Sequence, residues 1–371
     1  MRHYFITGAT GVVGSALLEK ILTRMAQVTI LIRADTEASA HDRMKSVVGH
    51  CAIPAHAARF IRVIRGDLCR PHLGVSTSDY RHLTNSCTHI IHCAGNVHMN
   101  LSLAEARRQT LSMTNGVLEL MAASDAAKKM EFVSTVGVAG RMRGKLSETW
   151  CNHPRTFHNS YEAAKSESEQ LVREGMASGL PITVHRPSMV VGNSRTGKTI
   201  AFQVFYYLCE FICGGHSHGI LPRFNGMRLD IIPSDYVAAL LEASSLTGDS
   251  HGPILHSCSG RTGSIELASL VEKVRKCFVQ SGRRLPPVRF LPVPLFKMAL
   301  AVMKPLLPPK RKRALGALPY FLSYLEEKQY FDNTMTKQFS QSNDIDLPKV
   351  DEYLEKVLQY YLSTCHKRHS V

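Results

Sequence analysis

A glycine-rich turn near the N-terminus most constrains what this chain can fold into. An apolar run, Tyr4 to Ile6, is followed by Gly8, Gly11 and Gly14, and then by a helical pattern that continues to about Met25. Glycines here permit a tight bend and a close approach of the backbone to a pyrophosphate, to which the helix N-terminus offers free N–H groups. The spacing is one residue longer than the usual dinucleotide fingerprint. The turn predicts a dinucleotide-binding domain, against the alternative of a purely structural turn.

Apolar runs then alternate with helical patterns, which is typical of a parallel sheet with helices on both faces. We expect strands at about 28–32, 60–64, 88–92, 130–134 and 181–191, and helices at about 38–48, 103–124, 201–213 and 234–244. The predicted fold class is α/β, a doubly wound parallel sheet of the Rossmann type with a smaller, mostly helical C-terminal lobe. We place the dinucleotide-binding domain at residues 1–200 and the substrate-binding lobe at 201–371, with residues about 228–260 returning to the core.

Charge and composition indicate the kind of partner. Lys and Arg number 45 against 30 Asp and Glu, a formal net charge of +15. This favours phosphorylated cofactors, acidic carrier proteins or anionic lipid. The sequence has no zinc-finger spacing, RNA-binding signature or basic zipper, so we expect no nucleic acid. We also expect no signal peptide and no membrane span, since no apolar run reaches roughly 18 residues. Ten cysteines without a disulfide framework suggest reduced thiols and a cytoplasmic location.

Two further patterns match other sites only formally. Residues 192–199 read G-N-S-R-T-G-K-T, which fits the phosphate-binding P-loop pattern, but no magnesium-binding acidic residue on another strand accompanies them. Histidines come close together at His216 and His218 and at His92 and His98, without a third ligand spaced for zinc. We therefore expect neither ATP binding nor a metal site.

The end of the second predicted strand bears on which dinucleotide binds. Enzymes that use NAD carry an acidic residue there, which binds the ribose 2′-hydroxyl. Here the strand ends at Arg33, whose guanidinium suits a 2′-phosphate. Asp35 lies two residues further on, so NAD stays open as an alternative, as does a merely solvated Arg33. We expect NADPH as the cofactor.

Tyr161 and Lys165 are four residues apart, which on a helix places both on one face. A tyrosine phenol with its usual pKa near 10 is a poor acid–base group at neutral pH, and a neighbouring ammonium is expected to lower that pKa. Ser134 and Thr135 end the fifth predicted strand, where a hydroxyl can bind a substrate oxygen. These residue types, following a glycine turn, predict reduction or oxidation of a carbonyl group.

Together these motifs resemble the extended short-chain dehydrogenases/reductases. The resemblance covers about residues 3 to 260 and rests on five motifs: Thr7 to Gly14, Gly66-Asp67-Leu68, Ser134-Thr135, Tyr161-x-x-x-Lys165 and Arg186-Pro187-Ser188. Within that superfamily the chain is similar to the thioester reductase and fatty acyl-CoA reductase branch. The segments that carry this closer similarity are Leu31 to Ala34, Gly192 to Gly197 and Tyr330 to Asn333.

The resemblance implies roles for individual residues. Tyr161 would donate the proton, Lys165 would lower its pKa and hold the nicotinamide ribose, and Thr135 would bind the carbonyl oxygen. The implied cofactor-binding set is Thr7, Gly8, Thr10, Gly11, Val12, Val13, Gly14, Arg33, Asp67, Leu68, Ala94, Gly95, Tyr161, Lys165, Pro187 and Ser188. The family often has an Asn in the helix after the fourth strand. That position corresponds to Thr110 here, and Asn115 is out of register, which puts the usual proton-relay water in doubt.

The expected enzyme is an NAD(P)-dependent oxidoreductase that transfers hydride to an acyl thioester, on coenzyme A or an acidic carrier protein, in lipid metabolism. Aldehyde and alcohol products both stay open. One alternative is an extended short-chain dehydrogenase acting on a hydroxysteroid, a ketone or a sugar nucleotide. Another is a non-catalytic protein that senses NADP, although Tyr161 and Lys165 are residues a sensor need not keep.

The C-terminal lobe bears on the substrate. The apolar segments at 201–213 and 285–307 suggest either a groove for a chain-like substrate or ordinary core. The basic run Lys310 to Arg313 is either a solvated patch or a contact for an acidic carrier, a coenzyme A phosphate or a peripheral membrane surface.

Overall fold

The structure of the protein is a computed structural model. The structure describes residues 2–51, 53–97, 101–214, 217–223, 226–247, 254–303 and 329–369. Its strands are β1 (His3–Thr7), β2 (Gln27–Ile32), β3 (Ile61–Arg65), β4 (His89–His92), β5 (Lys129–Val133), β6 (Gly144–Leu146), β7 (Ile182–His185), β8 (Met189–Val191), β9 (Ile220–Pro222), β10 (Arg228–Leu229), β11 (Ile231–Pro233), β12 (Ile254–Leu255), β13 (Ile265–Glu266), β14 (Arg289–Leu291) and β15 (Gln329–Phe331).

Helices connect these strands and form most of the C-terminal part. They are α1 (Val12–Leu22), α2 (Glu37–His50), α3 (Ala55–Ala58), α4 (Thr77–Ser86), α5 (Leu103–Ala122), α6 (Ser160–Ala177), α7 (Val204–Ile212), α8 (Ser234–Leu246), α9 (Gly260–Gly263), α10 (Leu267–Gln280), α11 (Val293–Met303), α12 (Thr334–Ser342) and α13 (Val350–His369). None of the helices among the described residues has the length and apolar character that crossing a membrane requires.

The centre of the molecule is a seven-stranded sheet with the order β12-β7-β5-β4-β1-β2-β3. All of its strand pairs are parallel, and Ile6 of β1 lies opposite both Ile30 of β2 and Ile91 of β4. From β1 the chain first adds β2 and β3 on one side, and then adds β4, β5, β7 and β12 on the other. Because the direction changes between β1 and β4, a crevice opens at the carboxyl ends of these two strands. The predicted Rossmann-type sheet is confirmed, and the crevice is where a dinucleotide is expected to lie.

Helices cover both faces of this sheet, so every residue of its inner strands β1, β4, β5 and β7 is buried. On one face, Leu17 and Leu18 of α1 join Leu240 and Leu241 of α8 in one core cluster. On the other face, α5 and α6 pack together over the apolar side chains of β4, β5 and β7. The helix α6, with Tyr161 and Lys165, is thereby held against β5, with Ser134 and Thr135 at its end.

The strand expected at 181–191 is two strands, which corrects that prediction. β7 ends at His185 in the central sheet, and β8 pairs with β11 in a separate two-stranded sheet. Pro187 lies between them, and a proline has no N–H to continue a ladder. Since β12 pairs with β7, residues 254–255 lie in the central sheet. The division of the chain at residue 200 stays a prediction.

The C-terminal part has its own apolar core, built from α7, α10 and α13. Six of the nine residues of α7 are buried, whereas Tyr207 is exposed. Tyr361 of α13 donates a hydrogen bond to Glu210 of α7, with 2.8 Å between the oxygens. The apolar segment at 201–213 is therefore explained as core, not as the wall of a substrate groove.

The segment Tyr330 to Asn333 attaches the C-terminal part to the sheet domain. β15 pairs with β6, and Asn333 Nδ2 donates a hydrogen bond of 2.8 Å to the carbonyl of Cys258. The motif that resembled the acyl reductase branch thus has a structural role among the described residues. The basic run Lys310 to Arg313 lies outside the described residues.

Candidate active site

The glycine turn between β1 and α1 has the shape that the spacing predicts. Gly8 has a φ of +73°, and a Cβ there would lie 2.6 Å from the backbone nitrogen of Ala94. A Cβ on Gly14 would clash with the carbonyl oxygen of Gly8 and lie 2.8 Å from Cα of Ala9. The first turn of α1 has no side-chain cap, so its N–H groups can receive an anion. The turn therefore fits the pyrophosphate of a dinucleotide.

The other residues of the turn divide into buried and accessible ones. Thr7 is fully buried, and its Oγ1 lies 2.8 Å from Nδ1 of His92 and accepts a hydrogen bond from the N–H of Ala94. This hydroxyl ties the ends of β1 and β4 together. Thr10 is half-buried, whereas Val12 is buried in the first turn of α1. Thr7 and Val12 could therefore contact a cofactor only through their backbone atoms.

Two arginines meet at the end of β2. Arg33 is exposed there, as expected, and its carbonyl oxygen accepts a hydrogen bond of 2.5 Å from Nη1 of Arg43. Nη2 of Arg43 is 3.5 Å from Oγ1 of Thr10. Two guanidinium groups beside the glycine turn suit a 2′-phosphate better than a bare hydroxyl. Sequence reasoning missed Arg43, although its place next to the buried stripe of α2 (Ala40, Met44, Val47) could have indicated it.

The adenine side of the crevice is formed by the residues after β3. The carboxylate of Asp67 accepts a hydrogen bond of 3.0 Å from the N–H of Cys69, and Leu68 is buried. Asp67 is only half-buried, so it remains accessible from the crevice. Both residues lie where the resemblance placed them, and their contact with adenine stays a prediction.

The charge around Arg33 gives a test of cofactor choice. Arg33→Asp should weaken NADPH binding roughly 10- to 100-fold, because a charge-assisted contact worth about 1.5–3 kcal/mol is replaced by repulsion. Fluorescence titration with NADPH and NADH measures the effect, with Lys45→Gln on the solvent side of α2 as the control. Tighter binding of NADH than NADPH by the unchanged protein would contradict the assignment.

The helix α6 brings the predicted catalytic residues to the sheet. It starts at Ser160 because Asn159 Oδ1 accepts a hydrogen bond of 3.0 Å from the N–H of Glu162. Tyr161 is thus in the first turn and Lys165 in the second. Nζ of Lys165 donates a hydrogen bond of 2.8 Å to the carbonyl of Val133, the last residue of β5.

Thr135 follows two residues after Val133. Its Oγ1 accepts a hydrogen bond of 3.1 Å from the N–H of Gly137, which fixes the turn after β5. On the other side of Lys165, a Cβ on Gly95 would lie 3.6 Å from the lysine Cε. The structure therefore brings Lys165, the Thr135 turn and the Ala94–Gly95 backbone to one place beside the glycine turn.

Pro187 and Ser188 complete this edge. The carbonyl of Pro187 accepts a hydrogen bond of 3.1 Å from Val136, next to Thr135, and the N–H of Ser188 donates to Ser257 at 3.0 Å. Both residues are buried. They lie beside the Thr135 turn, where the nicotinamide end of a dinucleotide is expected.

Burial dominates the electrostatics of the site. It lowers the pKa of Lys165 to about 8, against the effect of the nearby Glu169. It raises the pKa of Tyr161 well above the usual range, with a further contribution from Glu162. The predicted lowering of the tyrosine pKa by Lys165 is therefore wrong for this structure, in which the ammonium bonds to the Val133 carbonyl. Tyr161 is a neutral phenol at pH 7 and holds a proton it can donate.

Thr110 is buried on α5 and Asn115 of the same helix is exposed. Asn115 thus faces away from the sheet, in agreement with its being out of register. The role of Thr110 in place of the usual Asn stays a prediction.

The loop at 192–199 does not form a phosphate cradle. Its backbone N–H groups are taken by the protein itself: Ser194 donates to Asp235, and Arg195 and Thr196 donate to Oδ1 of Asn193. The next helix, α7, begins only at Val204. ATP binding is thus not supported.

Histidines and cysteines form no metal centre in the described part of the chain, where no group of three or more His, Cys, Asp or Glu could hold an ion. His98 and His216 lie outside the described residues. All ten cysteines are free thiols.

The fold and this arrangement of residues define an NAD(P)-dependent oxidoreductase of the Rossmann type. The model of an NAD-binding family described as "Male sterility protein" matches residues 6–241. The chain belongs to this family, on the thioester reductase branch of the extended short-chain dehydrogenases/reductases. The expected family, fold, class of enzyme and nicotinamide cofactor are confirmed.

The relatives are longer synthases and reductases. The L-2-aminoadipate reductase large subunit of Penicillium chrysogenum is 30% identical over 262 residues, which are 65% of this chain and 18% of that protein. The isonitrile lipopeptide synthase of Streptomyces coeruleorubidus is 30% identical over 52% of this chain and 13% of that protein. The aldehyde reductase lnaA of Aspergillus flavus is 25% identical over 96% of this chain and 36% of that protein. The chain therefore spans about a third or less of the length of these relatives.

Solved structures show the same fold over the whole chain. The terminal R domain from the myxalamid PKS-NRPS biosynthetic pathway superposes with a TM-score of 0.79 at 25% identity, covering 100% of this chain and 92% of that one. A thiolation-reductase di-domain from an archaeal non-ribosomal peptide synthetase has a TM-score of 0.76 at 16% identity, covering 99% and 76%. The second likeness is one of fold alone.

Proposed function

We propose that this chain is an NADPH-dependent reductase of acyl thioesters that are attached to a carrier protein. The observation that carries the proposal is the hydrogen bond between Lys165 and the carbonyl of Val133. Lys165 lies one turn after Tyr161 on α6, and Val133 lies two residues before Thr135. The names of the relatives, which include an aminoadipate reductase and a lipopeptide synthase, support a thioester as the substrate. The solved thiolation-reductase di-domain supports a carrier protein as its source.

The residues of the site are suited to this reaction. NADPH, when bound, supplies a hydride to the carbonyl carbon of the thioester. Tyr161, a neutral phenol because burial raises its pKa, donates its proton to the oxygen that becomes negative. The hydroxyl of Thr135 can donate a hydrogen bond to the same oxygen. Breaking the C–S bond then releases an aldehyde and the carrier thiol, and a second reduction would give the alcohol.

The C-terminal part is where a chain-like substrate would be selected. Phe290, Leu295 and Met298, on β14 and α11, are exposed apolar side chains. Arg289 is exposed in β14, and Arg223 is exposed directly after β9, where its N–H donates a hydrogen bond of 2.8 Å to the carbonyl of Leu291. Apolar and basic side chains together fit an acyl chain delivered by an acidic carrier or by coenzyme A. A contact of Lys310 to Arg313 with either partner, or with a membrane surface, remains part of this proposal.

A substrate panel tests the proposal. NADPH oxidation is followed by absorbance with short and long acyl thioesters, on a carrier protein and on coenzyme A, at low and high ionic strength. Each buried methylene is worth about 0.8 kcal/mol, so KM should fall roughly fourfold per methylene until the groove is filled. A carrier held by exposed arginines should bind more weakly at high salt.

Two outcomes separate the alternatives from this proposal. Activity only with ring ketones, hydroxysteroids or sugar nucleotides would reject the thioester assignment and leave the reductase fold standing. NADPH binding without turnover on any of these substrates would favour a cofactor sensor.

A further inference from the structure

The face of α6 that holds Tyr161 and Lys165 continues to a third polar residue. Glu169 lies four residues beyond Lys165, so the three side chains follow one another along one face of the helix. Glu169 is only 4% exposed. A carboxylate is buried this deeply only when it is well paired, so its partners indicate what it does.

The first partner of Glu169 is Arg186, which is fully buried. The two side chains form a two-point ion pair, with Nε at 2.9 Å from Oε1 and Nη2 at 2.6 Å from Oε2. The remaining nitrogen, Nη1, donates to the carbonyl of Thr149 at 2.9 Å and lies 3.3 Å from Nε2 of His256. Arg186 directly precedes Pro187 and Ser188, so the ion pair joins α6 to the cofactor-binding edge.

The second partner of Glu169 is Ser134. The hydroxyl of Ser134 donates a hydrogen bond of 2.5 Å to Oε1 of Glu169. Ser134 stands between Val133, whose carbonyl accepts from Lys165, and Thr135. Two successive residues at the end of β5 are thus tied to two successive turns of α6.

We propose that Glu169 is a positioning residue of the active site, which through Ser134 and Arg186 holds the Thr135 turn and the Pro187–Ser188 edge in register with Lys165. The inference rests on the proposed reductase function and adds to it a residue that need not touch substrate or cofactor. Ser134 and Arg186 act with Glu169 as one buried unit.

The charge of Glu169 gives this role a signature that a purely structural residue would lack. Tyr161 lies on the same face of α6 as Lys165, one turn earlier. The titratable groups that interact with Lys165 are Glu169 from α6, and His92 and Cys93 from the end of β4. Burial keeps the last two neutral at pH 7, because it lowers the pKa of His92 to about 3 and raises that of Cys93 to about 12.

Glu169 is therefore the negative charge that raises the pKa of Lys165 against the effect of burial. Arg186 pairs with Glu169 from the other side. If Lys165 must be charged, activity is present below its pKa and is lost as the pH rises through about 8. Removing the charge of Glu169 lowers the pKa of Lys165 further. The alkaline limb of the pH–activity profile, where activity falls as the pH rises, therefore moves to lower pH.

The test compares Glu169→Gln with Glu169→Asp and with Glu167→Gln. Glu167 is on the same helix and pairs with Arg107 at the surface, so it is a matched control. Glu169→Gln should move the alkaline limb of kcat, and of NADPH affinity measured by fluorescence, by roughly half a pH unit or more to lower pH. Glu169→Asp keeps the charge, so its limb should stay in place even where kcat falls. Identical limbs in Glu169→Gln and Glu167→Gln would overturn the inference.

A second variant covers the case in which Glu169→Gln leaves Arg186 unpaired and fails to fold. Ser134→Ala removes only a hydroxyl, and it should lower kcat at least fivefold with the KM for NADPH changed less than twofold. An unchanged kcat in Ser134→Ala would contradict the positioning role. If none of the tested thioesters is a substrate for the unchanged protein, the proposed function fails. The role of Glu169 can still be decided in that case, because the loss of NADPH affinity at alkaline pH is measured without any thioester.

Discussion

Tyr161→Phe is expected to lower turnover by about 100-fold or more, while NADPH binding stays within about twofold. The phenylalanine keeps the ring and its packing in the first turn of α6, and removes only the proton that the reaction needs. Burial raises the pKa of Tyr161, so at pH 7 the phenol is protonated and acts as a donor. Lys165 is held by the Val133 carbonyl, so its position does not depend on the hydroxyl that is removed.

Single-turnover measurements with NADPH and an acyl thioester separate the chemical step from product release. Tyr207→Phe is the control, because Tyr207 is exposed on α7 and belongs to no part of the site. It should leave turnover unchanged. Undiminished turnover in Tyr161→Phe would remove Tyr161 from the mechanism.

The parts of the site that the sequence predicted are those set by local spacing. Gly8, Gly11 and Gly14 have roles that follow from one turn between a strand and a helix, and the Tyr161–Lys165 pair follows from the pitch of one helix. The alternation of strands and helices likewise predicted the parallel sheet, since each connecting helix returns the chain to the end of the sheet where the previous strand began. Such patterns require no knowledge of the rest of the molecule.

The parts that were missed depend on residues far apart in the chain. Glu169, Arg186 and Ser134 form a unit whose positions are up to 52 residues apart in the chain. No sequence pattern predicts that a carboxylate is buried between two such partners. Arg43 reaches the end of β2 only because α2 packs back along it. The predicted direction of the Tyr161 pKa was wrong for a related reason, since burial raises this pKa and the burial of a side chain cannot be read from a five-residue motif.

The apolar segment at 201–213 shows a third kind of limit. Its composition suited both a substrate groove and a core, and only the packing of α7 against α10 and α13 decided for the core. Under the proposed function, the exposed apolar side chains of β14 and α11 are the remaining candidates for contact with a chain-like substrate.

Gly14→Ala is expected to weaken NADPH binding by about 100-fold and to lower the thermal stability of the protein. A Cβ at this position meets only backbone, the carbonyl oxygen of Gly8 and Cα of Ala9, neither of which can rotate away. The glycine turn must therefore open or α1 must move off β1, and overpacking of this kind costs about 1–3 kcal/mol. Either change displaces the N–H groups that are to hold the pyrophosphate.

Gly49→Ala is a matched control for this variant, since Gly49 is also inside a helix, α2, and a Cβ there would meet nothing within 4 Å. Replacing a helical glycine by alanine favours the helix by roughly 0.5–1 kcal/mol, so Gly49→Ala should melt at the same or a higher temperature and bind NADPH normally. The two variants gain the same helix propensity, and their difference isolates the close contact between α1 and the turn. Calorimetric titration with NADPH and thermal unfolding by circular dichroism measure both effects. Equal NADPH affinities for the two variants would show that the contact between Gly14 and Gly8 is not needed to hold the pyrophosphate, and the binding site would then have to be sought away from the N-terminus of α1.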